Sequence, residues 1–166
     1  MRIKGFGLVA ALLIVLIYVP MARAADVTSI EIIEYGKYEV QRVGEATKTA
    51  TGTLESKVSN VIFAQQTQNI LASHTNAIGV RFTVHGSPSG EAVTIKVALK
   101  TPGVTPPGRK TVFNHTRNYT VNIEEPFLYW WGFREKWEMV PGTYIIQLFY
   151  NDKMYAEKNF KVTTSK

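Results

Sequence analysis

The amino-acid sequence predicts an all-β domain folded as an antiparallel β-sandwich. The main observation is an alternation of apolar and polar residues with a period of two, which recurs in residues 80–85, 93–100, 119–123 and 143–150. Such alternation places the apolar side chains of a strand on one face. Turns rich in glycine and proline separate the runs, and the chain after its N-terminal apolar segment has no helical periodicity. Short alternating strands with such turns are typical of a sandwich.

The chain begins with a segment that has the order of a secretory signal peptide. Arg2 and Lys4 give it a basic start, and residues 6–19 are apolar or glycine up to Pro20. This order predicts export and the removal of residues 1–24. The alternative is a retained membrane anchor, but a spanning helix needs about 20 apolar residues. The run is shorter than that, and a proline ends it.

Three alanines mark the expected cleavage site. Ala22 and Ala24 are the small residues that a signal peptidase recognises, so we expect cleavage between Ala24 and Ala25. The mature protein is then periplasmic or secreted, and we expect no stable insertion of the mature chain in the membrane. Residues 25–76 are expected to provide an N-terminal strand and an irregular extension, and residues 77–166 the best-patterned core of the same domain.

Composition limits the chemistry of the mature chain. There is no cysteine, which excludes disulfides, thiolate zinc sites and thiol nucleophiles. Loss of the three basic residues of the leader lowers the net charge from +6 to +3, an ordinary charge for solubility. Arg109, Lys110 and Arg117 form a loose basic cluster without a nucleic-acid motif. We interpret this cluster as a solvated loop, with an anionic surface or partner as the alternative.

No set of residues has the spacing of a catalytic or metal site. A hydrolytic triad needs a nucleophile, a histidine and an acid, but His74, His85 and His115 lie apart and no nucleophile elbow surrounds a serine. Asp26 and Asp152 are the only aspartates, and no pair of carboxylates is indicated for glycosidase chemistry. We interpret the three histidines as solvated and expect neither a cofactor nor a metal ion.

Three blocks of the chain, taken in order, resemble a known family. They are residues 34–39, residues 79–82 with the glycine-rich turn 86–90, and residues 137–144. The last block, with the Asn-Asp turn at 151–152, is similar to the final hairpin of bacterial immunoglobulin-like modules. Together the blocks resemble an uncharacterised family of exported bacterial domains of unknown function. This resemblance implies an immunoglobulin-like antiparallel β-sandwich, and it implies no activity or catalytic residue.

One aromatic strand provides the only functional lead. Both faces of residues 127–133 are apolar, although a sandwich strand needs only one apolar face. Trp130 lies on the face that should be outside, with the cations Arg134 and Lys136 nearby in the sequence. An exposed indole there is a candidate surface for a protein partner or a sugar ring. The alternative, which we favour, is that residues 25–76 pack over Trp130.

The sequence therefore predicts an exported, non-enzymatic binding or accessory module of the bacterial envelope. Its partner is expected to be another envelope protein or a glycan, and not a nucleic acid. The alternative, from another class, is a small envelope hydrolase or a metal carrier whose site is assembled from distant residues.

Overall fold

The computed structural model describes residues 25–48 and 54–165, and these form nine β-strands and one short 3-10 helix, Lys136–Glu138. The predicted signal peptide, including Ala22 and Ala24, lies outside the described residues. The strands are β1 (Asp26–Lys48), β2 (Leu54–Gln65), β3 (Asn69–Leu71), β4 (Asn76–Ser87), β5 (Ala92–Val104), β6 (Val112–Asn122), β7 (Pro126–Gly132), β8 (Gly142–Tyr150) and β9 (Lys153–Thr163).

The strands form two sheets that pack face to face. Four strands in the order β2-β1-β4-β7 make the first sheet, and five in the order β3-β9-β8-β5-β6 make the second. All neighbours are antiparallel except β3 and β9. The prediction of an all-β fold is confirmed, and the first sheet is antiparallel as expected, whereas the parallel pairing of β3 with β9 makes the second sheet mixed. β6 and β7, which follow one another in the chain, are edge strands of different sheets.

Alternating residues of the two sheets bury one main core. Its period-two pattern is clearest in β5, where Val93, Ile95, Val97 and Leu99 are buried. Each fully buried side chain of this size stabilises the fold by about 1.5–3 kcal/mol relative to an exposed one. The largest buried side chains of this core include Phe82, Phe133, Tyr144, Phe160, Ile146 and Leu148.

Residues 25–76 form an integral part of the sandwich. They contain β1, β2 and β3, and β1 pairs with β2 on one side and β4 on the other. β1 also contributes Val27 and Ile30 to the main core. The segment expected to hold one strand and an irregular extension thus supplies an interior strand of the first sheet.

A second, smaller cluster lies on the outer face of the first sheet. Tyr38, Val40 and Ala77 are buried there, and the partly buried residues packed against them are Val61, Phe63, Leu128 and Trp130. The ring of Tyr38 lies directly on Gly79, where a Cβ atom would come within 2.7 Å of the ring. Glycine at position 79 therefore allows the ring to lie flat on the sheet. We call this group of seven residues the outer cluster.

Candidate binding cleft between β6 and β7

The open side of the sandwich holds a cleft of about 600 Å³. Its walls are two runs of consecutive residues, 114–117 of β6 and 128–132 of β7. Arg134, Trp137 and Glu138 line the cleft from the segment that follows β7. Side chains on one face of a strand occur at every second residue. Consecutive residues in both walls therefore indicate that the main chains of the two edge strands also border the cleft.

The hydrogen-bond phase of β7 confirms this arrangement. The N–H of Phe133 donates to the carbonyl oxygen of Asn76 at 3.4 Å, and these two residues continue the β4–β7 register. In an antiparallel ladder, pairs that exchange hydrogen bonds alternate with pairs that do not. Counting back from Phe133, Trp131 and Tyr129 therefore direct their N–H and C=O groups toward β4.

The intervening residues of β7 direct their main chain toward the cleft. Leu128, Trp130 and Gly132 are out of phase with Phe133, so their N–H and C=O groups point to the free edge of the strand. Within the described part of the chain, these groups make no hydrogen bond. The side chains of Leu128 and Trp130 pack in the outer cluster, so both residues border the cleft with their main chain.

The edge of β6 has the same property. The N–H of Ile123 donates to the carbonyl oxygen of Glu91 at 2.9 Å, in continuation of the β5–β6 register. The even-numbered residues Asn114 and Thr116 are then out of phase with this pair. Their N–H and C=O groups point away from β5, toward the cleft that both residues line. The cleft thus lies between two unpaired strand edges.

Aromatic side chains fill the space behind the two edges. The ring of Tyr119 on β6 lies 5.4 Å from that of Phe127 and 5.8 Å from that of Tyr129, measured between centroids. Further along, the imidazole of His115 lies 4.7 Å from the indole of Trp131 at an interplanar angle of 44°. Aromatic pairs at such distances and tilts are favourable. The floor of the cleft is therefore a packed aromatic layer.

Three side chains of the cleft have a buried polar atom without a partner. They are Nε2 of His115, Nε1 of Trp131 and Nη1 of Arg134, and they are the only such side-chain atoms in the described residues. A buried polar group without a hydrogen bond costs about 1–3 kcal/mol. Burial lowers the pKa of His115, which favours the neutral imidazole, whereas the Trp and Arg groups can only donate. The cleft therefore concentrates unused donors.

The charge of the cleft is positive. Arg117 and Arg134 line it, and no carboxylate of the described residues forms an ion pair with either guanidinium. The Arg117 charge acts on the Tyr129 hydroxyl: burial raises the pKa of Tyr129, and Arg117 opposes part of that rise. The carboxylate of Glu138 is the only acidic group in the lining.

The carboxylate of Glu138 is occupied by the main chain. Glu138 is 3% exposed, and one carboxylate oxygen accepts hydrogen bonds from the N–H groups of Arg134 at 2.6 Å and Glu135 at 2.9 Å. The carbonyl oxygen of Arg134 lies 2.6 Å from Nδ1 of His74. These contacts hold the segment that carries Arg134 against the end of the cleft. Glu138 therefore supports the main chain of this segment, and it forms no ion pair with the guanidinium of Arg134.

The structure separates the three residues of the candidate surface predicted from the sequence. The side chain of Trp130 is partly buried and packs against the cluster formed by Tyr38, Val40 and Ala77, of which the first two belong to residues 25–76. Arg134 lines the cleft, whereas Lys136 is exposed on the 3-10 helix outside it. The residues that sequence reasoning missed are His115, Arg117 and Trp131. Continuing the alternation of residues 119–123 backwards along β6 places His115 and Arg117 on the inward face.

The interpretation of the three histidines as solvated is wrong for His115. His74 is exposed, and the side chain of His85 is 34% exposed, so both are accessible to solvent. His115 is half-buried in the cleft, as described above. Nδ1 of His85 lies 2.9 Å from Glu124, and Nε2 lies 3.2 Å from Glu31. The hydrogen bonds to Glu124 and Glu31 raise the pKa of His85. Glu124 also accepts a hydrogen bond from the N–H of Gly86 at 3.0 Å.

A more open depression of about 720 Å³ lies near β3, β8 and β9. Lys161 is its only charged residue, and none of the unpaired buried atoms lines it. Within the residues that the structure describes, no three histidine or carboxylate side chains are placed to hold a metal ion. In the same part of the chain, no helix is long and apolar enough to span a bilayer.

Residues 26–162 match the family model described as "Domain of unknown function (DUF3859)". The chain belongs to this family. The match confirms the resemblance to a family of unknown function that three sequence blocks had indicated. No curated protein matches the DUF3859 chain.

Comparison with a solved structure identifies the fold of the DUF3859 domain as immunoglobulin-like. The domain is similar to an immunoglobulin-like protein from Pseudomonas aeruginosa, with 22% identity and a TM-score of 0.53 over 82% of this chain and 98% of that one. This likeness confirms the predicted immunoglobulin-like fold and shows the fold alone. A beta-D-glucoside glucohydrolase from Trichoderma reesei also matches, with 10% identity and a TM-score of 0.37, over 82% of this chain and 19% of that one. A likeness at that level carries no argument about function.

Proposed function

We propose that this DUF3859 domain is an exported, non-enzymatic binding module of the bacterial envelope, and that the cleft between β6 and β7 holds its partner. The observation that carries the proposal is the gathering of unpaired buried polar atoms on His115, Trp131 and Arg134 in one cleft. Native proteins leave few such groups unpaired, and each needs a reason. A ligand that supplies hydrogen-bond acceptors would pair the donors of Trp131 and Arg134, and it would also pair Nε2 of His115 in the tautomer that carries the proton there.

The chemistry of the lining supports binding over catalysis. General acid–base catalysis needs a titrating group within reach of a nucleophile or a second acid. His115 packs on an indole and has no carboxylate or hydroxyl partner among the described residues. Glu138 is engaged by two main-chain N–H groups. A hydrolase or metal carrier assembled from distant residues is therefore the weaker proposal.

Another envelope protein is the partner that fits the cleft best. Two strand edges with unused N–H and C=O groups border it, and a polypeptide main chain complements such edges. The partly buried aromatic side chains behind them are of the residue types that anchor protein interfaces. A glycan is the competing partner, since aromatic rings and donors also suit sugars.

Crosslinking and co-purification from the native envelope test the proposed function. The wild-type protein, Arg117→Glu and the control Lys161→Glu are compared, since both variants reverse one exposed basic charge and Lys161 lines the other depression. We expect capture of the same partner by wild type and by Lys161→Glu, and its loss with Arg117→Glu. Equal capture by both variants would place the site elsewhere. The intact mass of the purified protein tests export, because cleavage leaves a chain that starts at Ala25.

A further inference from the structure

We propose that the partner contributes an extended, acidic segment that adds to the first sheet as a strand beside β7. The inference rests on the proposed function of the cleft and gives its binding mode. The segment directs acidic side chains between β6 and β7 and apolar side chains onto the outer cluster. Three independent features of the described residues lead to this mode: the main chain of β7, the charge inside the cleft, and the apolar surface outside it.

The main chain of β7 provides regularly spaced hydrogen-bonding groups. Leu128, Trp130 and Gly132 point their N–H and C=O groups to the free edge, and all three border the cleft. Every second residue of a strand is about 6.6 Å apart, so an extended peptide presents complementary groups at the same interval. Addition of a peptide strand to an exposed sheet edge uses this match for affinity.

The inner side of the cleft selects acidic side chains. In an added strand, every second side chain points toward β6, where Arg117 and Arg134 provide positive charge without an ion-pair partner in the described residues. The donors of Trp131 and Arg134 require acceptors. A carboxylate meets both requirements, and hydrogen bonds between two ionised groups are the strong ones. The buried donors become reachable through side-chain rotamer changes, which are common at interfaces.

The outer side of the same strand selects apolar side chains. The remaining side chains of the added segment lie beside Leu128 and Trp130, which end the outer cluster at the β7 edge. These side chains of the added segment would extend the outer cluster, which also contains Val61 and Phe63. The sequence pattern expected of the partner is therefore an alternation of acidic and apolar residues over about five positions.

The residues on the outer faces of the two strands favour the edge of β7 over that of β6 as the place where the segment pairs. On the outer face of β6, the out-of-phase residues are all polar, namely Asn114, Thr116, Asn118, Thr120 and Asn122. A strand added there would set its outer side chains against a polar surface. β6 thus serves as the facing wall, and β7 as the strand that the segment pairs with.

Synthetic peptides and amide hydrogen exchange test this mode in the mature protein. The probes are nine-residue peptides that alternate valine with glutamate, with lysine or with serine. We expect the amides of Tyr129 and Trp131 to be protected in the free protein, and those of Leu128, Trp130 and Gly132 to exchange fast. The Val–Glu peptide should slow exchange at the last three amides, and the Val–Lys peptide should not. Unchanged exchange with millimolar Val–Glu peptide would overturn the inference.

N-methylated peptides separate strand addition from binding through side chains alone. Two Val–Glu peptides are compared, one methylated on its valine nitrogens and one on its glutamate nitrogens. Only every second N–H of an added strand faces β7, so one peptide should lose binding and the other should keep it. Equal behaviour of the two peptides would overturn strand addition.

Charge reversal and an acidic sugar complete the test. Arg117→Glu should lower the affinity for the Val–Glu peptide by about tenfold or more. Lys161→Glu should leave that affinity unchanged. Binding of a galacturonate hexamer in the cleft, without binding of any peptide, would overturn strand addition and leave a glycan-binding cleft. Loss of partner capture in Arg117→Glu would still support the proposed function in that case, so the two failures are distinguishable.

Discussion

Two regions of this domain each contain a histidine, and they differ in how the ring nitrogens are paired. His85 has a carboxylate against each ring nitrogen, from Glu31 and Glu124. These contacts join β1, β4 and the turn between β6 and β7, so the fold itself accounts for them. In the cleft, Nε2 of His115 is buried without a partner among the described residues, beside the equally unpaired Nε1 of Trp131. The fold does not account for these groups.

The two regions differ in whether the fold pairs their polar atoms. Exposed hydrogen bonds such as those of His85 contribute modestly and leave nothing unsatisfied. Unpaired buried groups cost stability, and a trade-off of stability against activity is a known property of functional sites. This contrast supports our proposal that a ligand binds in the β6–β7 cleft, whereas the contacts of His85 join parts of the fold.

The largest expected effect tests the support of the cleft. Glu138→Leu removes the acceptor of two N–H groups, those of Arg134 and Glu135, and leaves them unpaired. We expect a loss of about 2 kcal/mol in the free energy of unfolding measured with urea. We also expect a lower affinity for the partner. Glu138→Gln keeps an acceptor oxygen and should therefore retain most of the stability and most of the affinity for the partner. Glu31→Gln in the more exposed His85 region is the matched control and should change stability much less. If Glu138→Leu and Glu31→Gln lost similar amounts of unfolding free energy, the two regions would not differ as described.

A smaller effect is the pH dependence of stability, which should have opposite signs in the two regions. The pKa of His115 is lowered by burial, so its unfolded form binds a proton more readily and stability falls as pH drops below about 6.5. The pKa of His85 is raised by its hydrogen bonds to Glu124 and Glu31. Its contribution is present in full below about pH 6.5 and is lost as pH rises through the folded-state value.

Urea unfolding at pH 5.5 and pH 7.5 measures these two contributions. Relative to wild type, His115→Phe should lose less stability on acidification, and His85→Asn should lose more. Low salt makes the His85 contribution easier to detect, because its partners are solvent-exposed and screened. Shifts of the same sign in both variants would show that the two histidines do not differ as described.

Much of the fold could be predicted because its signals are local. The alternation at residues 93–100 predicts both a strand and its buried face, and Val93 to Leu99 are buried at every second position. Asn151 and Asp152 both adopt positive φ angles, as expected for a tight hairpin turn. In each case, neighbouring residues carry the information.

The cleft could not be predicted because its parts meet only through the sheet topology. β6 and β7 belong to different sheets, and no local pattern states which strands remain at an edge. His115 stands among the polar residues of β6, so its alternation is masked by asparagine, threonine and arginine. The carboxylate partners of His85 lie 39 and 54 residues away in the sequence, so no local pattern indicates them.

The variant His115→Phe tests whether the polar groups of the cleft bind a ligand or stabilise the fold. Phenylalanine keeps a ring against Trp131 and removes the unpaired nitrogen. We expect the free energy of unfolding at pH 7.5 to be unchanged or raised by up to about 1 kcal/mol, and we expect the variant to lose the partner captured by wild type. A protein that is destabilised by 1 kcal/mol or more, as estimated for a lost native hydrogen bond, and still captures the partner would contradict this expectation.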